Sequence, residues 1–79
     1  MSHEDIAALV SKKPFSPFRM FLTDGTFFDV RHPEMCMLGK RSLVLGIGGD
    51  PSSRIYDRMT YIDLLHIMRC EPFEATVQH

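Results

Sequence analysis

The runs Phe18-Arg19-Met20-Phe21-Leu22-Thr23 and Thr26-Phe27-Phe28-Asp29-Val30-Arg31 flank the pair Asp24-Gly25, and nothing else in the chain constrains its fold as much. Asp-Gly between two β-rich runs reads as a two-residue hairpin, because both turn positions need positive φ. With Thr23 facing Thr26, Phe21 stands opposite Phe28 and Arg19 opposite Val30 on one face. Leu22–Phe27, Met20–Asp29 and Phe18–Arg31 then share the other. Neither face is polar throughout. Leaving either in water wastes aromatic area, so both sides of the ribbon are expected to be covered. A strongly bent sheet with a helix on one side and a barrel core on the other meets that need.

The rest of the chain reads as the missing parts. Residues 2–13 are expected to form one helix, with Ser2 as N-cap and Asp5 three residues on in a capping-box arrangement. Glu4 and Asp5 suit its positive end and Lys12 and Lys13 its negative end. Ile6, Leu9, Val10 and Lys13 share one side, so this short helix must lie on something. Pro14-Phe15-Ser16-Pro17 is a stiff link. His32-Pro33-Glu34 interrupts the second run, since proline cannot donate within a ladder. Strands are expected at Met35–Leu38, Ser42–Gly46 and Ile55–Ile62, the last two separated by the longest loop. Residues 61–70 admit a strand or part of a short helix capped by Thr60 with Asp63; a bend near 63–65 and a final strand from about His66 to Glu71 is the preferred reading.

Composition limits what such a chain does. With 44% apolar residues it is not disordered, and no apolar run approaches the roughly 18 residues that span a membrane. Nine basic against ten acidic residues argue against a strongly cationic nucleic-acid or membrane binder. Met1-Ser2-His3-Glu4-Asp5 lacks the cationic start of a secretory signal, and two cysteines are too few for a disulfide framework; a cytoplasmic protein with reduced thiols is expected. Folding 79 residues hides apolar area worth about 125 kcal/mol and costs about 120 kcal/mol in chain entropy. One copy is marginal, and self-association is a usual reinforcement.

Signals of chemistry are weak. His32-x₃-Cys36 and His66-x₃-Cys70 together make a zinc ligand set, but four residues of strand span about 13 Å and Pro33 argues against a helix at the first pair. No metal or other cofactor is expected. Gly46-Ile47-Gly48-Gly49-Asp50-Pro51 lacks the G-x-G-x-x-G spacing and a following helix, so it reads as a hairpin loop. There is no G-x-S-x-G elbow, and the scattered acids have no pattern; the chain is read as a non-enzyme. Basic residues form three small groups: Arg31 with His32, Lys40 with Arg41, and Arg54 with Arg58. These are the candidate loop contacts to a ligand or RNA, although Asp29, Glu34, Asp50, Asp57 and Asp63 are interleaved with them.

Leu22-Thr23-Asp24-Gly25-Thr26-Phe27 resembles the first-hairpin signature of Sm-like proteins, and Met59 to Ile67 is similar to their final strand–turn–strand. Pro14-Phe15-Ser16-Pro17-Phe18, Leu22-Thr23-Asp24-Gly25 and Val30-Arg31-His32-Pro33-Glu34 also resemble a group of small uncharacterised bacterial proteins sharing P-F-x-P-F, L-x-D-G and V-x-H-P. The first resemblance covers roughly residues 3–72 and implies a five-stranded Sm-like or SH3-like small barrel over residues 18–71; the length fits one domain over 1–79, with the helix at 2–13 ahead of the barrel and the tail at 74–79 expected to fray. That resemblance also implies rings built by strand addition and, in many members, RNA held by two loops, here His32-Pro33-Glu34 and about Ile62-Asp63. The first lacks the base-contacting asparagine and the second carries an acid, so the resemblance favours a ring over RNA binding.

The expectation is a mainly β, non-enzymatic, self-associating binding or scaffold module. Single-stranded RNA binding is the second reading. A metal or thiol activity using Cys36, Cys70, His32 and His66 is the third.

Overall fold

The computed structural model describes residues 1–50 and 55–73. Helix α1 (His3–Val10) is followed by strands β1 (Phe18–Leu22), β2 (Phe27–Val30), β3 (Cys36–Leu38), β4 (Ser42–Ile47), β5 (Arg58–Asp63) and β6 (Ile67–Pro72). Two antiparallel three-stranded sheets result, ordered β2-β1-β6 and β3-β4-β5. The expected single five-stranded sheet and closed barrel are not what the described residues form. The reason lies at two 3₁₀ turns. Pro33–Met35 breaks the second run, because proline has no N–H for a ladder, and the chain leaves β2 in one sheet to start β3 in the other. Leu64–His66 makes the same transfer between β5 and β6, with Asp63 accepting from the Leu65 N–H at 3.0 Å. The bend and final strand therefore fall where the sequence placed them. β5 begins three residues later than expected, after an isolated bridge between Asp50 and Ile55.

The first hairpin differs from its expected register by one residue. Phe18 pairs with Val30, Arg19 with Asp29, Met20 with Phe28 and Phe21 with Phe27. The loop is therefore Thr23-Asp24-Gly25, closed by Leu22 N to Thr26 O (2.9 Å) and Gly25 N to Leu22 O (3.1 Å). Gly25 alone takes the left-handed bend, at φ 91°, which is the three-residue form of hairpin loop. Asp24 selects it by accepting from both the backbone N–H and the hydroxyl of Thr26, at 3.0 and 2.6 Å.

That shift re-sorts the faces, since side chains alternate along a strand. Phe18, Met20, Leu22 and Val30 turn inward and are buried with Ile6, Leu43, Leu45, Ile62, Leu64 and Ile67 in one core between the sheets. Arg19, Phe21, Phe27 and Asp29 fall on the outer side, beside Arg69 and Glu71 of β6. The expectation that both faces are covered by other elements fails here. The outer face is tiled by its own side chains: the Arg19 guanidinium lies 4.1 Å from the Phe27 ring centre and that of Arg69 4.1 Å from Phe21. Phe27 still shows 47% of its surface.

α1 has the expected capping box, with Ser2 Oγ accepting from Asp5 N and the Asp5 carboxylate from Ser2 N. It ends at Val10 rather than Lys13, and the Ser11 hydroxyl takes up the Ala7 carbonyl at 2.6 Å. Lys12 and Lys13 lie beyond the last turn, so they do not serve its negative end. Ile6 is fully buried, with Leu9 and Val10 packed beside it. No helix among the described residues is long and apolar enough to cross a membrane.

Candidate functional site

A cleft of about 600 Å³ lies between the first hairpin loop and β5. Leu22, Phe28 and Ile62 give it an apolar floor; Thr23, Asp24, Thr26, Thr60, Tyr61, Asp63 and His66 give it polar walls. Its shape follows from the backbone. Four consecutive strand residues, Thr60 to Asp63, line it, and alternating side chains cannot all point to one face. The cleft therefore runs along the edge of β5, on the side away from β4.

Thr23 N donates to His66 O at 2.8 Å, and Thr23 Oγ1 lies 3.5 Å from His66 Nδ1, so the hairpin loop and the second 3₁₀ turn are tied at one end of the cleft. Thr26 holds the Asp24 carboxyl below its ordinary range, helped by nearby His66. Two carboxylates and one imidazole line this cleft, with no lysine or arginine among the described lining residues. Sequence reasoning missed it, because Asp24 and His66 come from segments far apart in the chain. Asp63 and His66 stand three residues apart in the chain and reach different partners: Asp63 bonds Leu65 N and His66 approaches Thr23.

The basic candidates are not gathered into one surface. Arg31 and His32 border a hollow of about 290 Å³ with Phe28, Met35, Ile47, Gly48, Gly49 and Tyr56. Arg31 is partly spoken for, 3.6 Å from Asp29 and stacked 4.9 Å from the Phe73 ring centre. Lys40 and Arg41, in the β3–β4 turn, border a different hollow with Met1, His3, Asp63 and Leu65. Arg58 opens β5 opposite Ile47. Arg54 lies outside the described residues, as does the expected tail at 74–79. Glycine matters where the chain folds back: a Cβ on Gly46 would come within 2.5 Å of the Tyr56 ring, so the strand accepts that ring only as glycine.

The His/Cys set is divided too. Cys36 starts β3, Cys70 is in β6, His32 precedes the first 3₁₀ turn and His66 ends the second. Among the described residues no three His, Cys, Asp or Glu side chains gather as metal ligands. Cys36 and Cys70 are half-buried free thiols whose pKa burial pushes up to about 11, and Cys70 feels Cys36 as well. Such thiols are poor nucleophiles at neutral pH.

Several exposed apolar side chains follow one another from residue 55 to 68, beginning with Ile55, while Met37 on β3 and Phe27 on β2 stand apart from them. Met59 and Tyr61 on β5, Leu65 in the second 3₁₀ turn and Met68 on β6 are all more than half exposed, Tyr61 at 79% and Leu65 at 81%. Comparison with protein-family models, curated proteins and solved structures finds no match to this chain.

Proposed function

We propose that the chain is a non-enzymatic, self-associating small β module, a binding or scaffold unit whose copies join through strand edges in the Sm-like manner. One observation carries this. β5 and β6 are six residues each, lie at edges of their sheets, and among the described residues are each paired on one side only. The other edge strands, β2 and β3, have four and three residues. A long open edge is a template for another strand. Pairing β5 of one copy with β6 of the next is heterologous, and a closed ring makes it finite. The same pairing covers Met59, Tyr61 and Met68 in part and adds the apolar burial that a single short chain lacks.

Light scattering after gel filtration tests it. A mass several times 9.1 kDa is expected; a sharp monomer at micromolar concentration overturns it.

Single-stranded RNA binding is the second reading, supported by Arg31, His32 and Tyr56 lining one hollow. Filter binding to short unstructured RNA at about 50 mM salt decides it, with affinity expected to fall as salt rises.

A further inference from the structure

We infer that the cleft along β5 is the seat for Arg69 of a second copy, held by the Tyr61 ring and the Asp63 carboxylate. This rests on the self-association reading and adds its orientation, register and the residues that select it.

The cleft runs along the unpaired edge of β5, so an occupant that satisfies that edge is an extended strand. Its charged lining is Asp24 and Asp63 with His66, and Lys40 and Arg41 border Asp63 only from the neighbouring hollow, so the cleft itself favours an occupant that brings a cation. β6 has both properties: an open edge and an exposed arginine. Its direction then follows from charge. Antiparallel pairing with the six-residue ends level sets Arg58 against Pro72 and Tyr61 against Arg69. Arg69 is then diagonal to Asp63, within reach of a long side chain. Parallel pairing with level ends sets Arg69 opposite Thr60, diagonal to Arg58, which is a like-charge approach, and carries it away from Asp63. The faces agree as well. Tyr61 and Met59 point outward from their sheet, as do Arg69 and Glu71 from theirs, so the two sheets continue across the joint without a flip. Within its own copy Arg69 stacks on Phe21 and bonds Glu71 at 2.8 Å, with half of its side chain still exposed on the outer face of β6.

The test compares the association of wild type, Arg69→Glu, Arg69→Lys and Asp63→Asn by light scattering over a range of concentration and salt, with circular dichroism reporting the fold. Arg69→Glu should fall to monomer mass with its spectrum retained, and Arg69→Lys should stay assembled but weaker. Asp63→Asn keeps an oxygen for the Leu65 N–H, so it removes the charge without the cap; its association should weaken about tenfold and lose most of its salt dependence. If Arg69→Glu fails to fold, Asp63→Asn decides alone. A wild-type oligomer indifferent to both changes overturns the seat and leaves self-association standing. A wild-type monomer overturns both.

Discussion

Arg19 and Asp29 face each other across β1 and β2, with Nε of one 2.7 Å from Oδ1 of the other and Nη2 3.2 Å from Oδ2. This fork-to-fork pair exists only in the three-residue-loop register; shifted by one, Arg19 would face Val30. Arg31 lies 3.6 Å from the same carboxylate, so Asp29 is shared by two cations. Reversing it should therefore hurt more than neutralising it. Asp29→Arg is expected to lower the thermal midpoint by a few degrees at low salt, and Asp29→Asn by less. The difference should shrink in 1 M salt, where charges are screened beyond about 3 Å. Adding Arg19→Asp to Asp29→Arg should recover much of the loss; no recovery would mean that the pair does not hold the register.

The loop itself gives a cleaner test. Nothing lies within 4 Å of where a Gly25 Cβ would stand, so Gly25→Ala costs only backbone strain at φ 91°. About 1 kcal/mol of destabilisation is expected in urea unfolding, and less for Gly25→Asn, because asparagine tolerates the left-handed region. A neutral Gly25→Ala would mean that the loop has another shape.

These two sites show where the sequence was legible. Asp24-Gly25 located the turn but fits loops of two or three residues equally; the choice depends on Thr26 reaching back to Asp24, a bond between side chain and turn. That one-residue ambiguity moved Arg19, Asp29, Phe21 and Phe27 together to the outer face, and with them the expectation that both faces need cover. Pro33 marked the break in the second run without revealing that the chain changes sheets there. Ser2 and Asp5 predicted the helix start because a capping box is local; its end depended on Ser11 competing for a carbonyl, and was overshot. The cleft was invisible, since its walls meet only when residues 22–28 and 60–66 come together.

Ile6 is the one fully buried residue of α1, so the helix docks through it. Ile6→Ala should cost roughly 2–5 kcal/mol and Ile6→Val about 0.5–1.5 kcal/mol, read as urea midpoints at a fixed protein concentration. Leu9→Ala and Val10→Ala, at half-buried sites, should cost less than Ile6→Ala. An Ile6→Ala midpoint equal to wild type would show that the helix contributes nothing to the core.

Asp24 predicts the acid side of the stability profile. Its carboxyl titrates below the ordinary 3.8 in the folded chain because Thr26 donates to it twice. The sign follows: the folded state favours the ionised form, so this contribution is complete above the ordinary aspartate value and is lost as pH falls through the lower, folded one. Asp24→Asn should be less stable than wild type near pH 7, and the gap should close as the solution is made strongly acid. A gap that widened on acidification would contradict the assignment.

The two thiols set the alkaline side. Burial raises Cys36 and Cys70 from an ordinary 9.0 to about 11, so the folded chain holds protons that the unfolded chain releases. Their contribution to stability is present below about pH 9 and declines as pH rises towards 11. The same shift makes thiolate about a hundredfold scarcer than in the open chain at pH 8, and thiolate is the species that alkylates. Iodoacetamide labelling of native protein at pH 8 should therefore be slower by about two orders of magnitude than labelling in urea, for both cysteines. Mass spectrometry after a timed quench resolves the two sites. Rapid labelling of Cys70 alone would place β6 away from the core edge, and would take with it the strand arrangement on which the proposed joint between copies is built.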